Sequence, residues 1–295
     1  MKYAVLGATG QTGGATARAL LADGEAVRVV VRRPEAVSAW QAAGADVALA
    51  DLDDADSMTR AFVGVDAAFI ATPPELDAAD PFAENRIAIA TLTAAIRGAG
   101  LPYAVYLSSI GAQHTHGLGA IGKLHDMEQA FAELPVPTVA LRAGWFMENA
   151  RGLIAGARET GELPSMLDPL ELAVPMISTE DIGAVAAELL RRAPRGSYAV
   201  ELAQDAHSSN DVARSMTELL RRPVRAQVVS RSERPAIYAS WGMSPVGAQA
   251  MSDMIDGFNR GWIRFEGGSV EQLRGTTPLD AALARMAREA AATAH

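Results

Sequence analysis

The chain is predicted to be an α/β protein: a doubly wound parallel sheet followed by a smaller, irregular α/β C-terminal lobe. Two observations predict it. Short apolar runs alternate with helical stretches from residue 2 to about residue 142, the pattern of parallel strands covered by crossover helices on both faces. After Arg151 the alternation breaks, and Gly156, Gly161, Pro164, Pro169 and Pro175 punctuate the chain. The predicted division is therefore 1–150 and 151–295, with some later segments expected to rejoin the sheet.

The first element is the one the others depend on. Lys2-Tyr3-Ala4-Val5-Leu6 reads as a buried strand, followed by Gly7-Ala8-Thr9-Gly10-Gln11-Thr12-Gly13-Gly14 and a helix over 15–21. Gly7 permits a tight turn off the strand, Gly10 lets backbone approach a pyrophosphate, and Gly13 lets the helix pack closely on the strand. The helix N-terminus then offers free N–H groups and partial positive charge to phosphates. This is the opening of a Rossmann sheet, and Gly7, Thr9, Gly10, Gln11, Thr12 and Gly13 are candidate cofactor contacts.

Composition narrows the function classes. The 295 residues carry a net charge of −9, which argues against a nucleic-acid ligand. There is no cysteine, hence no disulfide, thiolate metal site or thiol nucleophile, and redox chemistry must come from a bound cofactor. The apolar run at the N-terminus is too short for a signal peptide, and no run of about twenty apolar residues suggests a membrane span. A cytoplasmic protein is expected, monomeric or homodimeric. Only the tail, 290–295, is a candidate for disorder. Of 26 basic residues only Lys2 and Lys123 are lysines.

The second strand, 26–31, ends in Arg32-Arg33-Pro34. An NAD-preferring fold places a carboxylate about there for the ribose 2′-hydroxyl, whereas two guanidiniums suit a 2′-phosphate. NADP(H) is therefore the expected cofactor. A helix over 35–43 and a strand over 45–50 lead to Asp51-Leu52-Asp53-Asp54. Asp51 is placed to accept from an adenine amino group with Leu52 against the ring, while Asp53 or Asp54 caps the helix at 55–62. The fourth strand, 65–71, closes on Ala71-Thr72-Pro73-Pro74 at the sheet edge where such folds bind ligands. A long helix over 81–98, a strand over 103–107, Ser108-Ser109, a helix over 123–133 and a strand over 138–142 complete the half.

Taken together, GATGQTGG, RRP after the second strand, DLDD after the third, SSIGA after the fifth, GKLHDME, LRAGWFMEN and PMISTEDIGAVAAELL resemble the NmrA-like branch of the short-chain dehydrogenase/reductase superfamily. The resemblance implies an atypical NADP(H) reductase acting on quinones, azo or triphenylmethane dyes, or a regulator that binds the dinucleotide without turnover. Typical short-chain dehydrogenases use a serine with Y-x-x-x-K. Ser108 or Ser109 matches the serine and Lys123 the lysine, but four residues before Lys123 stands Gly119, so the usual tyrosine acid is missing.

A compact ammonium at Lys123 suits ribose hydroxyls better than a guanidinium. His114, His116 and His125 flank it as polar loop residues or as a proton donor, with His114 and Ser109 joining Lys123 as catalytic candidates; no metal site is expected. Trp145, Phe146, Asn149 and Trp241 are candidates to line an acceptor pocket. Met251, Ile255, Phe258 and Trp262 are spaced to share a helix face, as a core or dimer seam or a lid over the nicotinamide. Ser178 or Thr179 should cap a helix to residue 192, and Thr277 the last helix. The expected function is an NADPH-dependent oxidoreductase passing hydride to a small, flat conjugated acceptor such as a quinone, azo or imine compound. The alternative is an NADP(H)-sensing protein that reports to a protein partner.

Overall fold

The computed structural model describes residues 1–293. The first half runs β1 (Lys2–Leu6), α1 (Gln11–Ala22), β2 (Ala26–Val31), α2 (Val37–Ala42), β3 (Asp46–Leu49), α3 (Ala55–Phe62), β4 (Ala67–Ile70), α4 (Pro81–Ala99), β5 (Ala104–Ser109), α5 (Gly122–Ala132) and β6 (Thr138–Ala143). The rest follows as β7 (Trp145–Phe146), α6 (Ile154–Thr160), β8 (Glu162–Ser165), β9 (Val174–Ile177), α7 (Thr179–Arg192), β10 (Tyr198–Ala203) and β11 (Ala206–His207). It ends with α8 (Ser209–Leu220), β12 (Arg225–Val228), α9 (Arg234–Ser240), α10 (Pro245–Asn259), β13 (Glu271–Arg274) and α11 (Leu279–Thr293).

Eight strands form one sheet in the order β13-β10-β6-β5-β4-β1-β2-β3, and every ladder in it is parallel. The chain runs outward from β1 through β2 to β3, then returns to β4 on the other side, so the order reverses between β1 and β4. That switch point is where open α/β sheets hold ligands. Strand periodicity sorts side chains onto two faces. Tyr3 and Val5 join Leu20, Val29, Leu141 and Leu190 in one core, while Ala4 and Leu6 join Phe62, Ile70, Leu92 and Phe131 in the other.

Three later elements rejoin this layer. α7, capped by the Ser178 hydroxyl accepting from the Glu180 N–H at 3.3 Å, packs on α1 so closely that a Cβ on Gly183 would stand 2.5 Å from Ala15. β10 and β13 extend the sheet beyond β6. The lobe has a third core, which includes Met216, Phe258, Leu283 and Met286 and also takes in Ile110, Leu118 and Ile121 from the β5–α5 connection.

Some elements differ from the sequence expectation. α1 begins at Gln11, because Gly13 and Gly14 serve within its first turns. α10 ends at Asn259 and Gly261 turns the chain at φ +66°, so Trp262 leaves the helix face of Ile255 and Phe258. Thr277 does not cap α11; its hydroxyl donates to Asp181 at 2.9 Å and its N–H donates to the same carboxylate at 2.8 Å. Within 290–295, expected to be disordered, the helix continues to Thr293, and the last two residues lie outside those described.

Candidate functional site

At the switch point β1 passes into the glycine turn. Gly7 sits at φ +81°, and a Cβ there would stand 2.4 Å from the Ala71 carbonyl at the end of β4. The Gly10 N–H donates to the Gly7 carbonyl at 2.9 Å, closing the turn. Gly13 lies behind it, where a Cβ would meet that same Gly7 carbonyl at 2.4 Å. No side chain caps α1, so its first-turn N–H groups are open to an anion.

From this turn a cleft of about 1140 Å³ runs along the carboxyl edge of the sheet, slightly larger than the usual range for ligand sites. Of the sequence candidates it brings together Gly7, Thr9, Gly10, Gln11, Thr12, Arg32, Arg33, Asp51, Leu52, Ala71, Thr72, Pro73, Lys123 and Phe146. Neither the Arg32 nor the Arg33 side chain has a hydrogen-bond or ion-pair partner among the described residues, although most of the arginine side chains here do. Capping of α3 falls to Asp54, which accepts from the Asp56 and Ser57 N–H groups at 3.0 Å. Asp51 and Asp53 are thereby left on the cleft wall.

At the opposite end Lys123 opens α5. It is only 6% exposed, its ammonium donates to the Pro74 carbonyl, and its own carbonyl accepts from buried Asn85 at 3.0 Å. Burial pulls its pKa down, and Glu75 and Glu84 pull it partly back up. Both carboxylates line the cleft, as do Pro74, Asn85 and Leu107. Sequence reasoning missed these residues. Glu84 stands in the first turn of α4, where an acid has an ordinary helical explanation, and Asn85 is brought to Lys123 only by tertiary packing.

The remaining candidates lie elsewhere. Ser109 donates to the Ile110 carbonyl at 3.1 Å. Its neighbour Ser108 is buried and donates to Glu128 at 2.5 Å, which in turn holds Arg142 at 2.7 Å. His114 stacks on Trp262 with ring centroids 4.3 Å apart, and its pKa is depressed by burial and by nearby Arg264. Trp145 packs edge-on against Phe258 at 5.3 Å, within the lobe core. Asn149 is exposed, and Trp241 is 55% exposed beside Tyr238. None of these lines the cleft, and no residue beyond Phe146 does so. No group of three or more metal-ligating side chains occurs among the described residues, and no helix among them is long and apolar enough to cross a membrane.

Gly119 has a structural reason. It adopts φ +53°, and a Cβ there would lie 2.2 Å from the Ala250 carbonyl and 2.3 Å from the Met254 nitrogen of α10. The backbone of α10 fills the space in which a side chain four residues before Lys123 would stand.

The residues present fit a phosphorylated dinucleotide: a turn that any Cβ would block, an open helix terminus, two unpaired guanidiniums at one end and a buried ammonium at the other. Comparison with known proteins agrees with this geometry. The family model described as "NmrA-like family" matches residues 2–261. An NAD(P)H azoreductase of Xenophilus azovorans is 27% identical over 251 residues, 85% of each chain. The (4-alkanoyl-5-oxo-2,5-dihydrofuran-3-yl)methyl phosphate reductase of Streptomyces griseus is 30% identical over 226 residues, 75% of this chain and 74% of that one. An NADPH-dependent quinone oxidoreductase of Escherichia coli, solved with NADPH, superposes with a TM-score of 0.80 at 25% identity, covering 97% of this chain and 99% of the other.

Proposed function

The chain belongs to the NmrA-like family, and from that premise we propose that it is an NADPH-dependent reductase of small, flat conjugated acceptors such as quinones, azo compounds or imines. One observation carries the reading: a single cleft runs from the unpaired Arg32 and Arg33 to Lys123. When bound, the cofactor supplies the hydride. The chain's residues bind and orient it. Arg32 and Arg33 hold the 2′-phosphate, Asp51 and Leu52 the adenine, the Gly7–Gly13 turn and the N-terminus of α1 the pyrophosphate, and Lys123 the nicotinamide ribose. Leu107 and Phe146 give apolar surface at the Lys123 end, against which flat rings can be aligned. With Gly119 in place of the tyrosine acid, acceptors that carry their own electron sink are favoured over simple ketones.

The three relatives are named for an azoreductase, a quinone oxidoreductase and a dihydrofuranyl reductase, all unsaturated acceptor chemistries. One observation favours a second reading, a sensor that binds NADP(H) and reports to a partner: no residue of the C-terminal lobe lines the cleft. Both readings meet in one experiment, in which NADPH oxidation is followed by absorbance across a panel of quinones, azo dyes and iminium dyes. Acceptor-dependent oxidation is expected. Tight NADPH binding with no oxidation across the panel would defeat the reductase and leave the sensor.

A further inference from the structure

One ammonium is claimed by two acceptors. Lys123 is 6% exposed, and among the described residues its ammonium has one hydrogen-bond partner, the carbonyl of Pro74 in the loop after β4. A buried ammonium is costly unless it is hydrogen-bonded, and the loop meets that need. The nicotinamide ribose, in the function proposed above, calls on the same group.

The loop has two sides. Residues 72–75 line the cleft, and the next residue meets the C-terminal lobe. The Leu76 carbonyl accepts from the Ser244 N–H, just before α10, at 2.9 Å. Gly247, in the first turn of α10, packs so closely that a Cβ would stand 2.1 Å from that carbonyl. Between the two contacts lies Glu75 at φ +48°, a left-handed backbone that a non-glycine residue keeps only where its surroundings impose it. Pro73 and Pro74 stiffen the approach. Glu75 alone separates Pro74 from Leu76, so a shift at one is felt at the other.

We propose that this loop is a cofactor-operated strap: the Pro74 carbonyl and the nicotinamide ribose compete for Lys123, so that NADPH, by taking the ammonium, frees the loop and loosens its hold on the start of α10. The strap requires that Lys123 hold the ribose, as proposed above, and does not require turnover.

A ligand moves a two-state element only by binding one state better than the other. Here the difference is the ammonium itself, covered while the loop is docked and open to ribose hydroxyls once it is released. Release also lets Glu75 leave its left-handed conformation. Coupling between sites is reciprocal, so whatever weakens the Leu76 contact with α10 must strengthen NADPH binding. The lobe lines no part of the cleft, and this loop is its link to cofactor occupancy. Trp241, just after α9, and Val246, in α10, are 55% and 42% exposed, so the change reaches an apolar surface outside the cleft.

Hydrogen exchange at the Ser244 amide reads the strap, because an amide held by one loop contact exchanges through local opening. Calorimetry reads NADPH affinity. The amide should exchange severalfold faster with saturating NADPH than without it. Adenosine 2′,5′-bisphosphate, which offers the adenine and 2′-phosphate but no nicotinamide ribose, should bind and leave the rate unchanged. Lys123→Met should exchange fast without any cofactor. Gly247→Ala suits a helix backbone but not the Leu76 carbonyl. It should also exchange fast, and should bind NADPH roughly fivefold more tightly, the low end of ordinary coupling between sites. A Ser244 rate that NADPH leaves unchanged or slows, or that the bisphosphate raises equally, overturns the strap alone when Lys123→Met still weakens NADPH binding. A Gly247→Ala protein that exchanges fast yet binds NADPH no more tightly does the same. NADPH affinity unaffected by Lys123→Met overturns the ribose contact, and the strap with it.

Discussion

The two ends of the chain meet the cleft in different ways. Residues 6–146 supply its lining, and they do so from short segments in which turn, helix terminus and charge are neighbours in sequence. The C-terminal lobe supplies none of that lining and meets the segments beside it through backbone: α10 against Gly119, the start of α10 against Leu76, and β9 paired with the β7 strand that carries Phe146. A cleft lined by local motifs is thus joined to a lobe whose helix packing shapes the segments beside it. The contrast explains how the dinucleotide turn can coexist with loss of the usual acid. The turn needs its own glycines and the end of β4 beside Gly7, both within the first half of the chain, whereas the acid needs open space above α5, and the lobe has taken that space.

Breaking the α10 contact should have the largest effect. Gly119→Tyr would restore Y-x-x-x-K on paper, yet its Cβ would fall inside the backbone of α10 and at a positive φ. The expected cost is about 3 kcal/mol or more, a fall of roughly 6–12 °C in melting temperature for a chain of this size. No gain in NADPH-dependent ketone reduction should accompany it. A Gly119→Tyr protein that melts like the wild type and reduces simple ketones would show that the lobe yields to the side chain, and the contrast drawn above would collapse.

A smaller and more selective effect belongs to the other end. Arg32→Ala with Arg33→Ala removes both guanidiniums, neither of which supports another side chain, so folding should be almost unaffected. NADPH affinity should drop by about 10- to 100-fold, the loss of one or two charge-assisted contacts, while NADH affinity should hardly change. Calorimetric titration of both cofactors checks this. Equal losses for the two would mean that the arginines do not read the 2′-phosphate.

How much of this could be read in advance follows the same division. The Gly7–Gly13 turn, the arginines after β2 and the acidic run before α3 were legible because each motif folds against its own neighbours. The parallel sheet was legible from Val-rich runs that only a two-sided core explains. Trp262 was misplaced on the face of α10, although Gly261 after Asn259 and Arg260 is an ordinary helix-stop signal that would have corrected it. The partner of Lys123 was not legible at all. Pro74 and Asn85 are distant in sequence, Pro74 reaching it from the loop after β4 and Asn85 through the packing of α4 on α5. Nor could Gly119 be understood from sequence, because the atoms that exclude its side chain belong to residues 250 and 254. Periodicity reports which face of an element is buried, and says nothing about which backbone arrives there.

The finest test of the division is Lys123 itself, where cofactor binding and folding pull in opposite directions. The ammonium is buried, and its pKa lies below the ordinary 10.5 chiefly because burial disfavours the charged form. A depressed lysine pKa destabilises the fold at every pH below the folded value. That penalty is relieved as pH rises through the folded pKa towards the unfolded one. Lys123→Met keeps the apolar stem and removes the charge. At neutral pH it should melt higher than the wild type by roughly 2–4 °C, the equivalent of about 1 kcal/mol, and the gap should narrow as pH is raised towards 10. The same substitution should weaken NADPH about tenfold by removing the ribose contact. A lower melting temperature with unchanged NADPH affinity would mean that the Pro74 contact is what Lys123 is for, and that the loop carrying Glu75 is held from both sides by structure alone.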